Sequence, residues 1–321
     1  MHSDSSNTNA EALHVSLPVF EPRTLHVDGA SVFLTIGGDG PPLLLLHGFP
    51  ETHIAWRKVA PQLSRVATVV AADLPGYGKS QRPPGDDRRE HHSKRAMART
   101  LVEAMAALGY QRFGVIGHDR GARVAYRMAL DYPDRVSAVG VLDVITTLDV
   151  AERLTYATAR QMATWFWLAQ PPPLPENTIA ADPRGYLTAV LEAWGGAAAI
   201  DPAAVDEYVR ALSEPRSIHA ICEEYRASDT IDIDNDRKDR DEGRRITCPL
   251  LCLWVEHGFA AQFGDPIAIW KRWADDVRGH AISGGHFMME ESPQAIAAAL
   301  ETFVAEAMPP IGARGAPKLS R

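Results

Sequence analysis

Cysteine is scarce in this chain, with three in 321 residues: Cys222, Cys248 and Cys252. Three thiols cannot all pair, and the last two flank Pro249 in an apolar run with no histidine at metal-ligand spacing. A disulfide framework and a zinc site are therefore both excluded, and the thiols read as reduced packing residues of a cytoplasmic protein. An excess of positive charge is lacking too. The 33 Lys and Arg against 41 Asp and Glu leave a formal net charge of -8, so nothing favours nucleic acid as a partner. No apolar run is long enough to span a bilayer, since Leu43 to Leu46 is ended by His47-Gly48, and no membrane partner is expected. Met1 to Ala10 lacks the basic start and apolar stretch of a secretory signal. The segment Pro309 to Arg321, rich in Pro, Gly and basic residues, reads as a disordered tail.

What is present is a 45% hydrophobic chain, enough for a large core carrying an insertion. Short apolar runs bounded by Gly and Pro alternate with amphipathic stretches, the rhythm of strands and crossover helices in a doubly wound, mostly parallel sheet. Strands are predicted at Ser31 to Ile36, Leu43 to Leu46, Val66 to Ala71, Phe113 to Ile116, Val136 to Leu142 and Leu250 to Val255. Helices are predicted at Lys94 to Leu108, Gly121 to Asp131 and Pro293 to Ala307. The fold class is α/β. From about Thr147 the rhythm changes to aromatic helical segments broken by proline, among them Trp165-Phe166-Trp167 and Pro171-Pro172-Pro173. The expected plan is a polar N-terminal extension at 1–21, a core at 22–146 and 242–308, a helical cap at 147–241 and a tail at 309–321. A cap inserted between two strands of such a sheet covers their carboxyl ends, where ligands bind. The charge run Asp232 to Arg245 reads as a solvated connection back to the core.

The central motif is Gly117-His118-Asp119-Arg120-Gly121, directly after an apolar strand and before a helical pattern. This is the spacing of a nucleophile elbow, whose glycines permit a sharp turn that lifts the middle side chain above the sheet. The middle residue is an aspartate. A carboxylate is already anionic at pH 7, so it needs no base before attack. Its targets are sp3 carbons bearing a leaving group, such as carbon-halogen bonds or epoxides, and attack gives an ester. The bland alternative is that Asp119 only caps the following helix.

An ester must be hydrolysed by activated water. His286, in Ser283-Gly284-Gly285-His286-Phe287 ahead of the last helix, is the candidate base among 12 histidines. Asp143, at the end of the Val136 to Leu142 strand, is the favoured acid to orient it, with Glu256 and Asp265 after the next strand as rivals. The loop His47-Gly48-Phe49-Pro50 supplies one backbone N-H of an oxyanion hole at Phe49, and Arg120 the second. Arg120 and Arg123, at the start of the elbow helix, would grip a carboxylate and so favour an anionic substrate. The bland alternative for Arg123 is an i,i+4 ion pair with Asp119, four residues before it, or a surface contact.

These residues resemble the haloacetate dehalogenases, particularly the fluoroacetate dehalogenases, of the α/β-hydrolase superfamily. The likeness runs from about Gly37 to Phe303 and includes Gly38 to Pro50, Ala72 to Gly78, and Gly117 to Arg123. In the cap it includes Leu168 to Pro171, Leu174 to Asn177, and Cys222 to Arg226. The resemblance implies an α/β-hydrolase fold and attack by Asp119 on the α-carbon with loss of halide. His286 and Asp143 then promote hydrolysis of the ester to a 2-hydroxy acid, glycolate in the case of a haloacetate. It places Arg120 and Arg123 on the substrate carboxylate and puts Trp165 and Tyr225 at halide-binding positions, where indole N-H and phenol O-H are donors. It implies a small halogenated carboxylate as partner, no cofactor or metal, and a homodimer. One position departs: Thr164 stands where fluoroacetate-cleaving members place a histidine. A threonine hydroxyl is a shorter, uncharged donor for a poor leaving group, so chloro- or bromoacetate is the firmer expectation.

Two other readings remain open from the residues. An epoxide hydrolase would use Asp119 and His286 in the same way but needs cap tyrosines, for which Tyr156, Tyr186, Tyr208 and Tyr225 are available. A non-catalytic ligand receptor on the same fold is the third.

Overall fold

The computed structural model describes residue 17, residues 19–81 and residues 89–308; the expected tail at 309–321 and Met1 to Ala10 lie outside the described residues. Among the described residues, eight strands form one sheet: β1 (Glu21–Val27), β2 (Ala30–Gly37), β3 (Pro42–Leu46), β4 (Thr68–Ala72), β5 (Phe113–His118), β6 (Val136–Leu142), β7 (Leu250–Val255) and β8 (Val277–Ile282). Their order is β1-β2-β4-β3-β5-β6-β7-β8. The pairs β1/β2 and β2/β4 are antiparallel and the other neighbours are parallel.

The central strands are apolar almost end to end because helices cover both faces of the sheet. Those helices are α1 (Ala60–Leu63), α2 (Lys94–Ala107) and α3 (Arg120–Asp131), with three more after the last crossover. Ser93 caps α2 by accepting from the Ala96 N-H. The sequence reading missed β1 and β8, and both are sheet edges. Edge strands are half exposed, so β1 reads Glu-Pro-Arg-Thr-Leu-His-Val and β8 Val-Arg-Gly-His-Ala-Ile, with no contiguous apolar run to mark them.

Between β6 and β7 the chain runs through α4 (Thr147–Arg153), α5 (Tyr156–Gln161), α6 (Ala163–Leu168), α7 (Leu174–Ala181), α8 (Pro183–Ala193), α9 (Pro202–Leu212), α10 (Pro215–Ser228) and α11 (Ile231–Asp241). These helices make the cap. Proline stands in the first turn of α7, α8, α9 and α10, where its missing N-H costs nothing. After β7 come α12 (Pro266–Trp270), α13 (Met288–Glu291) and α14 (Pro293–Ala307). Among the described residues no helix is long and apolar enough to cross a membrane. All three cysteines are buried and unpaired, and burial raises each thiol pKa.

One expectation is corrected here. The charge run Asp232 to Arg245 is not simply a solvated link: its first part is α11, and Asp232, Asp236 and Asp239 recur on one buried stripe of that helix. They meet cations of the core. Arg127 pairs with Asp236 and Asp239, Lys94 pairs with Asp232, and the Tyr126 hydroxyl donates to Asp236 at 2.8 Å. The matching stripe on α3 is Arg120, Arg123 and Arg127, all fully buried beneath the cap.

The strand register brings the carboxyl ends of four strands level, pairing Leu46 with Gly117, His118 with Leu142, and Leu142 with Leu253. The segments that follow, from His47, Asp119, Asp143 and Glu256, converge at that edge beneath the cap.

Candidate active site

Asp119 sits at the turn from β5 into α3 with φ 46° and ψ -115°, a strained backbone held by its neighbours. A Cβ on Gly117 would lie 2.3 Å from the Gly121 carbonyl carbon, and one on Gly121 would lie 2.4 Å from the His47 oxygen. Only glycine fits at both positions, which is why the turn can be so sharp. The Asp119 side chain makes no capping bond to α3, so the helix-cap alternative is set aside.

One carboxylate oxygen of Asp119, Oδ1, accepts the Phe49 N-H at 3.0 Å, and the other, Oδ2, lies 3.8 Å from His286 Nε2. Burial opposes ionisation of Asp119. Charge on His286, Arg120 and His118, with the Phe49 N-H, more than offsets that and holds the pKa down to about 2. His286 Nδ1 lies 2.8 Å from Asp143 Oδ2. Asp143, at φ 53° just past β6, is fully buried and its other oxygen accepts the N-H groups of Val255 and Ala260. Burial works against the His286 cation, but the hydrogen bond and charge of Asp143, then the charges of Asp119 and Glu51, raise its pKa to about 9. Neither rival acid bonds the imidazole: Glu256 is exposed on the cavity wall, and Asp265 is exposed and caps α12 through the Ile267 N-H.

Behind His286 stands a pair the sequence reading did not single out. His118 Nε2 is 2.7 Å from the His286 carbonyl oxygen and its Nδ1 is 3.2 Å from Glu51 Oε2. A carbonyl oxygen can only accept, so the His118 Nε2-H donates to it and tethers the His286 backbone. The spacing of Glu51 one residue after His47 to Pro50, and of His118 one before Asp119, was the available signal.

Arg120 Nε lies 3.0 Å from both oxygens of Glu224, and its Nη2 also reaches Glu224 and Ser228. Its Nη1 has no partner among the described residues. Arg123 Nη1 donates to the Ile145 carbonyl at 3.2 Å and to Thr147 Oγ1 at 3.1 Å, leaving Nε and Nη2 buried without partners. Among the described residues Arg123 has no carboxylate within ion-pair distance, so the i,i+4 pair with Asp119 does not form. Burial and the Arg120 charge both depress its pKa. Two buried cations thus carry three nitrogens without an acceptor among the described residues.

A cavity of about 570 Å³ opens above Asp119, walled by Trp165, Tyr225, Trp194, Phe259 and His286. Trp194, whose ring stands edge-on to His286 at 5.3 Å, was not foreseen. The Trp165 ring lies 4.6 Å from the Arg120 guanidinium and 4.7 Å from that of Arg123, covering both, so neither arginine forms the cavity wall. Two residues expected at the halide pocket take distinct positions. Thr164 is half-buried on α6 and is not part of the cavity wall, because a helix that turns Trp165 inward turns its neighbour aside. The Trp165 indole N-H points to Asp229 Oδ1 at 2.7 Å rather than into the cavity.

Residues 41–178 match the family described as alpha/beta hydrolase fold. A fluoroacetate dehalogenase from Burkholderia sp is 40% identical over 290 residues, covering 90% of this chain and 95% of that protein. A soluble epoxide hydrolase from Corynebacterium sp. (strain C12) is 34% identical over 274 residues, covering 84% and 91%. Among solved structures, a mutant of a Pseudomonas aeruginosa protein described as a candidate epoxide hydrolase, with bound MFA, is 46% identical at a TM-score of 0.86, covering 91% of this chain and 97% of that one. With an aspartate at the elbow and a relative of this closeness along nearly its whole length, the chain belongs to the haloacetate (fluoroacetate) dehalogenase family of the α/β-hydrolase superfamily and is a hydrolase acting on carbon-halide bonds.

Proposed function

We propose that the protein converts a 2-haloacid such as a haloacetate to the 2-hydroxy acid and halide through an aspartyl ester, with chloro- and bromoacetate turned over more readily than fluoroacetate. The observation that carries this is Asp119 between the Phe49 N-H and His286, with two incompletely bonded buried arginines beside it. The core is 22–146 and 242–308 and the cap 147–241.

The Trp165 ring that covers Arg120 and Arg123 turns aside to admit the substrate carboxylate to their free N-H groups, which sets its α-carbon against Asp119. The carboxylate, anionic with a pKa of about 2, forms a carbon-oxygen bond as the carbon-halogen bond breaks, and halide leaves with the bonding pair. Tyr225 faces the cavity as a donor toward it. Attack uses up the Asp119 charge that helped raise the His286 pKa to about 9, so the imidazolium sheds its proton to solvent and the neutral form, able to accept a proton, is present at the moment a base is needed. It takes a proton from water attacking the ester carbonyl, whose oxyanion is held by the N-H groups of Phe49 and Arg120. Collapse releases the alkoxide, His286 returns the proton to it, and the acid regenerated at Asp119 ionises.

Single turnover of bromoacetate in oxygen-18 water tests the route. Label in the Asp119 carboxylate supports the ester, whereas label going directly into product overturns it. The epoxide hydrolase reading fares worse. Tyr156 is 84% exposed, the Tyr208 hydroxyl is directed to Glu290, and Tyr186 is set back from the cavity, which leaves Tyr225 as its wall tyrosine among the described residues. A neutral epoxide also has no use for two buried cations. A homodimer rests on the family resemblance alone and a cytoplasmic setting on the three unpaired thiols, and sedimentation of the purified protein tests the dimer.

A further inference from the structure

Tyr225 and the residue one helical turn later, Asp229, stand on the same side of α10, and both face Trp165 of α6. The Tyr225 and Trp165 rings meet edge to face at 5.9 Å, and the indole N-H donates to Asp229 at 2.7 Å. Trp165 is part of the reaction site on geometry alone, since its ring covers both arginines and walls the cavity above Asp119. Asp229 is the exposed C-cap residue of α10. Burial opposes its ionisation, while the Trp165 bond and the charges of Arg120 and Lys94 favour it.

An indole has one N-H. Donated to a carboxylate, it makes a charge-assisted hydrogen bond and is withheld from any other anion in the cavity. The departing halide is such an anion. Fluoride is compact and leaves only when strongly hydrogen-bonded, whereas bromide carries a diffuse charge and needs less help. We infer that Asp229 is a halide-specificity residue: by holding the Trp165 N-H it removes one donor from the leaving group and biases the enzyme toward the heavier halides. This rests on the dehalogenase reading above.

The test compares fluoride release from fluoroacetate with bromide release from bromoacetate in the wild type, D229A and D229N. Alanine frees the N-H, whereas asparagine keeps an acceptor for it and loses only the charge. The ratio of kcat/KM for fluoroacetate to that for bromoacetate is expected to rise about tenfold or more in D229A, the worth of one hydrogen bond to a charged group. In D229N it is expected to stay near the wild-type value. A rise of equal size in both variants, or in neither, overturns the role of the hydrogen bond. If the wild type releases neither halide, the dehalogenase reading itself fails, and this inference with it.

Discussion

Arg120 of the elbow helix and Glu224 of the cap lie 104 positions apart in sequence and meet with the guanidinium Nε 3.0 Å from both carboxylate oxygens. Both are fully buried, and Glu224 also accepts from Lys94 and from the Tyr77 hydroxyl. Three donors from the core thus converge on one cap carboxylate. The contact does two things at once. It locks the cap over the sheet, and it spends all but one nitrogen of Arg120, so that Nη1 has a fixed direction.

Replacing Glu224 by glutamine leaves Arg120 and Lys94 as under-compensated buried cations. Breaking a buried pair in this way is expected to cost about 3 kcal/mol of stability or more. A thermal melt reads the loss, and KM for haloacetates should rise in parallel because Arg120 is no longer aimed.

D119N is expected to lower kcat on the order of 10⁴-fold or more and to form no ester. The same change removes an anion 3.8 Å from His286 Nε2, so the His286 pKa should fall from about 9 toward its ordinary 6.5. An NMR titration of the imidazole checks the sign, and an unmoved or raised value contradicts the coupling.

H286Q should alkylate but not hydrolyse. Mixed with bromoacetate, it is expected to release one equivalent of bromide and then stop, with intact-mass spectrometry finding the substrate-derived group on the Asp119 peptide. Steady turnover by this variant would falsify the base assignment. D143N should act in the same direction and lower kcat by about 10³-fold or more, since the imidazole loses its orienting anion.

R123M removes two of the three unsatisfied nitrogens at the proposed carboxylate site. KM for a haloacetate is expected to rise about a hundredfold, as when one partner of a buried charge pair is cut away. The corresponding halogenated amide, which carries no charge, should be nearly unaffected, and equal losses on the two substrates would remove the arginine from substrate binding.

Stability should also depend on pH through His286. Its folded pKa of about 9 is above the ordinary 6.5, so its contribution is complete below pH 6.5 and is lost as pH rises through about 9. The difference in Tm between wild type and H286Q should therefore shrink across that window. For Asp119, lowered from 3.8 to about 2, the contribution runs the other way and is lost only as pH falls through about 2.

The legible parts of this molecule were those governed by near neighbours in the chain. Gly117 and Gly121 around Asp119 announce the elbow because the steric demand of the turn is met within five residues. The central strands are legible because burial on both faces leaves a continuous apolar run, Asp143 because it follows a strand end directly, and His286 because its Gly-rich segment stands ahead of the last helix. Where exposure is mixed, as in β1 and β8, the pattern disappears and the strands are missed.

What the sequence determined by itself is the fold class, the carboxylate at the elbow and the candidates for its base and acid, since each depends on local spacing. Only the tertiary structure decided the fate of the charges. The Asp232, Asp236 and Asp239 stripe looks like a solvated helix face in the sequence, and it is buried against Arg127 because the cap brings the two together across about a hundred residues of chain. The same docking turned the Trp165 N-H to Asp229 and left Thr164 outside the cavity wall. Partners this distant in sequence leave no periodic trace, because a charge is indifferent to its own neighbours until packing chooses which opposite charge will face it.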